Sequence, residues 1–225
     1  MSSTKSADGL AAAKGESGEE SKMKVIGITG GVGAGKSTVV GILRNHYEIE
    51  YLHCDAIAHE LMEPGGSAYD ELLALFGKDI ANEDGSMNRS KLYERAFLGD
   101  RVEELNACVH PKVRIYVEDR IASLREEGFR GMVLIEAALL IEAGYKDICG
   151  ELWYVHAPVE MRRARLKANR GYSDERVDTI MAEQATEELF FSQSDFVIYN
   201  DSSQEECEEH ILAQVEKHRT EEVVG

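Results

Sequence analysis

Short apolar runs alternate with longer segments of helical periodicity along most of the chain. The first run, residues 24–29, is apolar and β-branched, and a helical stretch follows from Ser37 to about His46. Runs of this kind are typical of strands that are buried on both faces of a sheet. Further runs of strand length occur at residues 51–53, 132–135, 152–155 and 196–199. Strands that alternate with helices predict βαβ units, and therefore an α/β fold with a parallel sheet flanked by helices.

Three predicted helices interrupt this alternation, because they follow one another with no strand between them. They cover residues 67–76, 89–98 and 101–127. We interpret about residues 55–128 as a helical insertion that packs on the sheet and binds a substrate. The core of the fold would then comprise about residues 23–53 and 131–225.

The two ends of the chain differ in pattern from this central part. Residues 1–22 are rich in Ser, Gly, Ala and charged residues and lack a sustained apolar period. This composition predicts a disordered leader in front of one folded domain, residues 23–225. Near the other end, Ile211, Leu212 and Val215 recur at helical spacing under a Glu-rich outer face. That pattern predicts an amphipathic closing helix, to which we assign no function.

Composition and charge narrow the range of partners. The 225-residue chain carries a formal net charge of −17, so nucleic acid or an acidic membrane surface would be repelled over most of its surface. Its four cysteines form no C-x-x-C pair, which argues against a zinc site or a redox pair and favours reduced thiols. No apolar stretch approaches the roughly 18 residues of a membrane span, and no signal peptide is visible. We therefore expect a cytoplasmic protein.

A glycine-rich segment between the first strand and the first helix carries the clearest chemical signal. Its sequence, GGVGAGKST at residues 30–38, fits the phosphate-loop pattern G-x-x-x-x-G-K-S. Glycines allow positive φ angles and let backbone N–H groups point at phosphate oxygens, where a side chain would block the approach. Lys36 supplies a charge for the β and γ phosphates, and the hydroxyl of Ser37 can ligate Mg²⁺.

This segment predicts binding of the phosphates of ATP or GTP. The residues expected to contact the nucleotide are Gly31, Val32, Gly33, Ala34, Gly35, Lys36, Ser37 and Thr38. Their glycine spacing does not fit the dinucleotide fingerprint G-x-G-x-x-G. The chain also lacks the N-K-x-D base reader of guanine-specific switches, which disfavours a switch GTPase.

Eight motifs in order, from Lys24 to about Asn200, resemble the dephospho-coenzyme A kinase family. They are TGGVGAGKST at 29–38, CDAIAHELMEPG at 54–65, FGKDI and DGSMNR within 76–89, NACVHP at 106–111, ALLIE at 138–142, RLKANRGYSDE at 165–175, MAEQ at 181–184 and SDFVIYN at 194–200. The resemblance implies a P-loop NTPase fold like that of nucleoside-monophosphate kinases, with a helical coenzyme-A-binding insertion and a mobile lid. It also implies phosphorylation of the ribose 3′-hydroxyl of dephospho-coenzyme A by ATP and Mg²⁺.

Asp55 follows the second predicted strand and is the candidate catalytic base. The resemblance implies that its carboxylate accepts the proton of the attacking 3′-hydroxyl, one of the few chemical roles that phosphoryl transfer leaves to a protein. The alternative is that Asp55 is the N-cap of a helix at 56–62, a position that favours Asp. The family commonly has a second Asp at the position of His53 and a proline at the position of Ala138.

Residues 160–176 contain six basic against three acidic residues in a strongly acidic chain, which calls for a local anion. The resemblance assigns about residues 160–190 to the lid that closes over ATP. Arg165 and Arg170 fall on its basic positions, where they would clamp the transferring phosphoryl group. The alternative is a solvated helix face whose arginines make surface ion pairs.

Five further residues match family positions. Arg89 and His110 would face the coenzyme A side, where Arg89 would pair with a phosphate oxygen; the alternative for His110 is a core or helix-start residue. Asn200 would meet the adenine edge. Glu136 would hold a water of Mg²⁺ or cap the next helix, and Gln184 is either functional or structural.

Two other functions stay open on the sequence alone. One is another small-metabolite or nucleoside-monophosphate kinase on the same scaffold, and the other is a non-catalytic nucleotide-binding regulator. A candidate base together with a basic lid argues against the regulator.

Overall fold

The computed structural model describes residues 23–137, 140, 144–182, 184–203 and 206–224, with the backbone alone for 221–224. The leader expected at residues 1–22 and the position of Ala138 lie outside the described residues. Within the described part, no helix combines the length and the apolar character that crossing a bilayer requires. The four cysteines are free, as expected.

Among the described residues, five parallel strands form one sheet with the order β2-β3-β1-β4-β5. Their bounds are Lys24–Thr29 (β1), Ile49–His53 (β2), Met132–Glu136 (β3), Glu151–His156 (β4) and Phe196–Tyr199 (β5). All four neighbouring pairs are parallel. The predicted α/β fold with a parallel sheet is therefore confirmed.

Nine α-helices flank the sheet in the described part of the chain. They are Lys36–His46 (α1), Cys54–Leu61 (α2), Tyr69–Phe76 (α3), Arg89–Tyr93 (α4), Val102–Glu126 (α5), Val159–Arg170 (α6), Asp174–Ala182 (α7), Glu187–Gln193 (α8) and Cys207–Val224 (α9). Short 3₁₀ turns lie at Lys78–Ile80 and Tyr145–Asp147, and a π-helical turn lies at Glu94–Leu98. The helix predicted at 89–98 is thus divided between α4 and the π-helical turn.

The hydrophobic core has two layers, one on each face of the sheet. Ile26 and Ile28 of β1 belong to the layer formed with α1 and α9, whereas Val25 belongs to the layer formed with α2, α3 and α5. This division follows from the alternation of side chains along a strand. The first layer is completed by buried side chains of the two helices: Val39, Val40, Leu43, Ile211 and Val215. The predicted closing helix is therefore a structural part of the core.

In the order of the chain, helices α2 to α5 follow one another between β2 and β3, in the segment for which a helical insertion is predicted. The longest of them, α5, turns one apolar stripe inward. Its buried residues at helical spacing are Cys108, Val109, Val113, Val117, Ile121 and Leu124. Outside this stripe, Arg120 Nε donates to Glu50 Oε1 of β2 at 2.7 Å and so ties α5 to an edge strand.

The carboxyl ends of β1, β2 and β3 bring three candidate segments to one edge of the sheet. The phosphate loop follows Thr29, α2 with Asp55 begins directly after His53, and Glu136 is the last residue of β3. Glu136 is in register with His53 on β2 and with Ile28 on β1. Ligands of open α/β sheets bind at this edge.

Candidate active site

The phosphate loop turns between β1 and α1. Helix α1 begins at Lys36, one residue earlier than predicted, and Gly35 is its N-cap with a φ angle of 91°. Gly33 also has a positive φ angle, 83°. Both angles lie in the left-handed region that glycine adopts without steric cost, so the conformational reason for these glycines is confirmed. The helix start leaves first-turn N–H groups without helical partners, which is suited to an anion.

At two positions of the loop, a steric contact that the sequence does not indicate also favours glycine. A Cβ atom on Gly31 would overlap the guanidinium group of Arg162, and one on Gly35 would overlap the side-chain amide of Asn200. The loop is therefore packed tightly where it faces the rest of the protein. Glycine at these two positions therefore makes room for neighbouring protein side chains as well as for phosphate.

The ammonium group of Lys36 is held inside the site by two oxygen acceptors. Its Nζ atom donates to the carbonyl of Gly30 at 2.9 Å and lies 3.6 Å from Glu136 Oε1. Burial lowers the pKa of Lys36 below its ordinary value, and the Glu136 carboxylate partly opposes this shift. The other oxygen of Glu136, Oε2, accepts from the hydroxyl of Tyr51 at 2.5 Å. Lys36, Glu136 and Tyr51 therefore form one connected polar network.

Asp55 lies in the first turn of α2 and is not its N-cap. The N-cap is His53, and no side chain caps this helix start. The N-cap alternative is therefore wrong, because the helix begins at Cys54, before Asp55. The Asp55 side chain is 60% exposed, and its Oδ2 lies 4.0 Å from His53 Nε2. The carboxylate is thus accessible to a substrate.

Two cavities lie next to this edge of the sheet. The nucleotide-side cavity, about 770 Å³, is lined by the phosphate loop, Glu136 and one face of α6. The acceptor-side cavity, about 730 Å³, is lined by α2, α5 and nearby segments, and Asp55 is part of its wall. Apolar side chains such as Met62, Leu105 and Val109 form much of the wall of the acceptor-side cavity. A polar, cationic site and a largely apolar site therefore lie side by side.

The two predicted lid arginines differ in their surroundings. Arg165 Nη1 donates to the carbonyl of Ala34 at 3.1 Å, and its Nη2 donates to the carbonyl of Asn200 at 3.2 Å. In this arrangement backbone oxygens engage the guanidinium group of Arg165, which also lines the nucleotide-side cavity, and its role as a phosphoryl clamp stays a prediction. Arg170, the last residue of α6, is exposed and lines the nucleotide-side cavity.

Asn200 directly follows β5 and forms a hydrogen bond with the phosphate loop. Its Nδ2 donates to the carbonyl of Ala34 at 2.8 Å, and its Oδ1 accepts from Cys207 Sγ at 3.3 Å. The residue is only 1% exposed, and it is part of the lining of the nucleotide-side cavity. Its contact with the adenine edge stays a prediction.

Of the two residues predicted on the coenzyme A side, one lines the acceptor-side cavity. His110 does so from the interior of α5, which excludes the helix-start alternative. Arg89 lies outside that lining, at the start of α4. Its Nη2 is 3.4 Å from Glu63 Oε1, and its Nη1 is 3.5 Å from His59 Nδ1.

Arg162 is a residue of the site to which sequence reasoning gave no separate role. It is 7% exposed, its Nε donates to the carbonyl of Val32 at 3.1 Å, and its Nη2 donates to Gln184 Oε1 at 2.7 Å. The same Gln184 oxygen accepts from the N–H of Val32 at 3.1 Å. The only signal in the sequence is that Arg162 and Arg165 are three residues apart, and therefore on one face of α6.

The comparisons with known proteins agree with one another. The protein-family model described as dephospho-CoA kinase matches residues 24–206. The dephospho-CoA kinase of Corynebacterium diphtheriae is 35% identical over 187 residues, which cover 83% of this chain and 92% of that protein. The dephospho-CoA kinase of Carboxydothermus hydrogenoformans is 36% identical over 198 residues, which cover 87% of this chain and 94% of that protein.

A solved structure supports the fold independently. The structure of a dephospho-CoA kinase from Campylobacter jejuni aligns with a TM-score of 0.65 at 21% identity, covering 87% of this chain and 96% of that one. At this level of identity the likeness bears on the fold alone. The predicted P-loop kinase fold is confirmed.

Proposed function

The chain belongs to the dephospho-CoA kinase family, and from this premise we propose that Lys36, Ser37 and Asp55 carry out its phosphoryl transfer. It is the kinase of the last step of coenzyme A biosynthesis, and it uses ATP. The reaction transfers the γ-phosphoryl group of ATP to the ribose 3′-hydroxyl of dephospho-CoA. The observation that carries the proposal is that an exposed carboxylate and a phosphate loop lie at one edge of the sheet, at the ends of the two strands that flank β3, each beside its own cavity.

The phosphate loop and Lys36 hold the triphosphate of ATP. Loop N–H groups and the start of α1 bind its oxygens, because they supply donors and a positive dipole end without a side chain in the way. The ammonium group of Lys36 moves from the Gly30 carbonyl to the β and γ phosphates. This charge serves both the bound substrate and the transition state, in which negative charge is spread over the transferring group.

Oxygen donors suited to Mg²⁺ lie on the wall of the nucleotide-side cavity. Ser37 would hold the ion through its hydroxyl, and Glu136 would hold one of its water ligands. Among the described residues no cluster of three or more His, Cys, Asp or Glu could hold a metal by itself. Mg²⁺ needs no such cluster, because it is usually bound by one or two side chains together with substrate phosphates. When bound, it neutralises charge on the β- and γ-phosphate oxygens.

Asp55 is the general base for the acceptor. Its exposed carboxylate on the wall of the acceptor-side cavity accepts the proton of the 3′-hydroxyl while that oxygen attacks the γ-phosphorus. The bond from the γ-phosphorus to the β,γ-bridging oxygen breaks in the same step, and ADP leaves. His110 lines the same cavity and contacts the substrate there. Arg89 exchanges its contacts with Glu63 and His59 for a phosphate oxygen of the acceptor.

Helices α6 to α8 are the lid over ATP, and Arg170 is the lid residue that remains exposed to the triphosphate. We further propose that the enzyme works in the cytoplasm on small molecules, with neither nucleic acid nor membrane as a partner. The net charge of −17 supports the exclusion of nucleic acid and acidic membrane surfaces, because both would be repelled.

The test is an acceptor assay with the purified full chain, ATP and MgCl₂. Mass spectrometry should detect one added phosphate on dephospho-CoA, and the 3′-deoxy analogue should gain none. AMP as a second acceptor distinguishes this reaction from that of a nucleoside-monophosphate kinase. Absence of product from dephospho-CoA, or equal turnover of AMP, would contradict the proposed function.

A further inference from the structure

One face of α6 contacts backbone carbonyls of the phosphate loop through two arginines, of which Arg165 also lines the nucleotide-side cavity. Arg162 Nε donates to the carbonyl of Val32 at 3.1 Å. Arg165 Nη1 donates to the carbonyl of Ala34 at 3.1 Å and lies 3.5 Å from that of Gly33. Three consecutive carbonyls of the loop are therefore directed at guanidinium groups.

The direction of these carbonyl groups determines the direction in which the backbone N–H groups of the loop point. No cis peptide bond is present among the described residues. In a planar trans peptide, the C=O group and the N–H group of the next residue point in opposite directions. Holding the carbonyls of Val32 and Ala34 toward the arginines therefore turns the N–H groups of Gly33 and Gly35 away from them.

Two amide side chains extend this support. Asn200 Nδ2 donates to the same Ala34 carbonyl at 2.8 Å, and the backbone carbonyl of Asn200 accepts from Arg165. Gln184 Oε1 accepts from both the N–H of Val32 and Arg162 Nη2. Each arginine is thus linked to the loop directly and also through one amide residue.

We propose that Arg162 and Arg165 are positioning residues that preorganise the phosphate loop by holding its carbonyls outward. The proposal rests on the proposed function, because it takes the loop as the nucleotide site. Arg162 is 7% exposed, so its side chain is largely shielded from solvent where it contacts the loop. Arg165 acts on the loop, and not as a clamp on the phosphoryl group. The loop then binds phosphate without first ordering its own backbone, which is the advantage of preorganisation.

Binding of ADP distinguishes a role of Arg165 as a support for the loop from a role as a clamp on the γ-phosphoryl group. ADP lacks the γ-phosphoryl group, so loss of a clamp on that group leaves ADP affinity unchanged. Loss of a support for the loop weakens the binding of ADP and of a non-hydrolysable ATP analogue to a similar extent. We expect Arg165→Ala and Arg162→Ala each to weaken ADP binding in calorimetry by roughly tenfold to a hundredfold, the range for a lost charged hydrogen bond.

Arg163→Ala is the matched control on the same helix. Arg163 pairs with Asp174 and Asp178 of α7 instead of the loop, so its removal should leave ADP affinity unchanged. The inference is overturned if Arg165→Ala keeps the wild-type ADP affinity, whether or not its kcat falls. It is also overturned if Arg163→Ala weakens ADP binding as much as Arg165→Ala does.

Hydrogen exchange of the ligand-free protein gives a second readout. The loop amides should exchange faster in Arg165→Ala than in the wild type and in Arg163→Ala, and equal rates would overturn the inference. If the alanine variants do not fold, Arg165→Lys keeps the charge without the two-pronged contact and enters the same two measurements. A wild-type protein that binds ADP but does not phosphorylate dephospho-CoA would overturn the proposed function alone. One without affinity for ADP would overturn both.

Discussion

Asp55 is an exposed carboxylate in the first turn of α2, and its proposed role is to accept a proton. Asp55→Asn keeps the shape of the side chain but removes its basicity. We expect ADP affinity to stay unchanged and kcat to fall about 10²- to 10⁴-fold, the usual contribution of a general base. Steady-state kinetics together with ADP titration would measure both effects.

The control for this variant is Glu60→Gln, which changes an exposed acid on the same helix. It should leave kcat unchanged. If kcat decreases no more in Asp55→Asn than in this control, Asp55 acts only as a favourable charge at the start of a helix.

Tyr51 orients Glu136, the acid next to Lys36. Its hydroxyl donates to Glu136 Oε2 at 2.5 Å, and both burial and this hydrogen bond raise the pKa of Tyr51 above its ordinary value. Tyr51→Phe removes the donor and leaves Glu136 free to turn. We expect kcat to fall about tenfold, the equivalent of one hydrogen bond to a charged group, with little change in ADP affinity.

Tyr47→Phe is the control, because the Tyr47 hydroxyl contacts Glu216 of α9, away from the loop. Glu136→Gln should reduce kcat at least as much as Tyr51→Phe does, and the double variant should add little further loss. Additive losses in the double variant would show that the two residues act separately.

At the scale of elements, α9 is attached to the sheet by a polar contact at the end opposite the active site. His218 Nε2 is 2.8 Å from Glu151 Oε2, and the imidazole ring is stacked on Phe196 with 4.2 Å between ring centroids. His218→Ala should lower the free energy of unfolding by about 1–2 kcal/mol. The melting temperature should decrease by roughly 2–8 °C for a chain of this size.

His210→Ala is the control on the same helix. Its imidazole is 45% exposed and lies 3.8 Å from Asp201, so the change should be within about 0.5 kcal/mol. ADP affinity should be unchanged in both variants. A His218→Ala protein as stable as the wild type would mean that apolar packing alone fixes α9.

The sequence predicts those elements and residues whose signal is local. β1 is continuously apolar and is followed by glycines, so the strand and the phosphate loop are both recognisable. The start of β2 is missed, because Glu50 interrupts the apolar run; its carboxylate pairs with Arg120 of α5, 70 residues away. The role of Arg162 is missed for the same reason, since its acceptor on Val32 is 130 residues away. Contacts of this range depend on how elements pack, which local patterns do not encode.

At the scale of the whole molecule, the proposed function divides the two substrates between two cavities of the fold. The nucleotide-side cavity is formed by the loop and α6, whereas the acceptor-side cavity is formed by the helical insertion. Lys36 lines the nucleotide-side cavity and Asp55 the acceptor-side cavity, so the proposal has the reacting groups meet at the carboxyl ends of the strands. Changes in the insertion should therefore affect the acceptor without affecting the nucleotide.

Ala58 allows this separation to be tested. It lies on α2 three residues after Asp55, lines the acceptor-side cavity of about 730 Å³, and is partly exposed. Ala58→Trp would place a large ring in that space. We expect the KM for dephospho-CoA to rise by about tenfold or more, because a filled pocket excludes the substrate, while the Kd for ADP changes less than about twofold.

Ala122→Trp, on the exposed face of α5, adds the same ring outside the cavity and should change neither constant. A melting curve of each variant distinguishes a blocked cavity from a damaged core, because overpacking lowers stability as well. If Ala58→Trp weakens ADP binding as strongly as it raises the KM for dephospho-CoA, the two cavities are not independent.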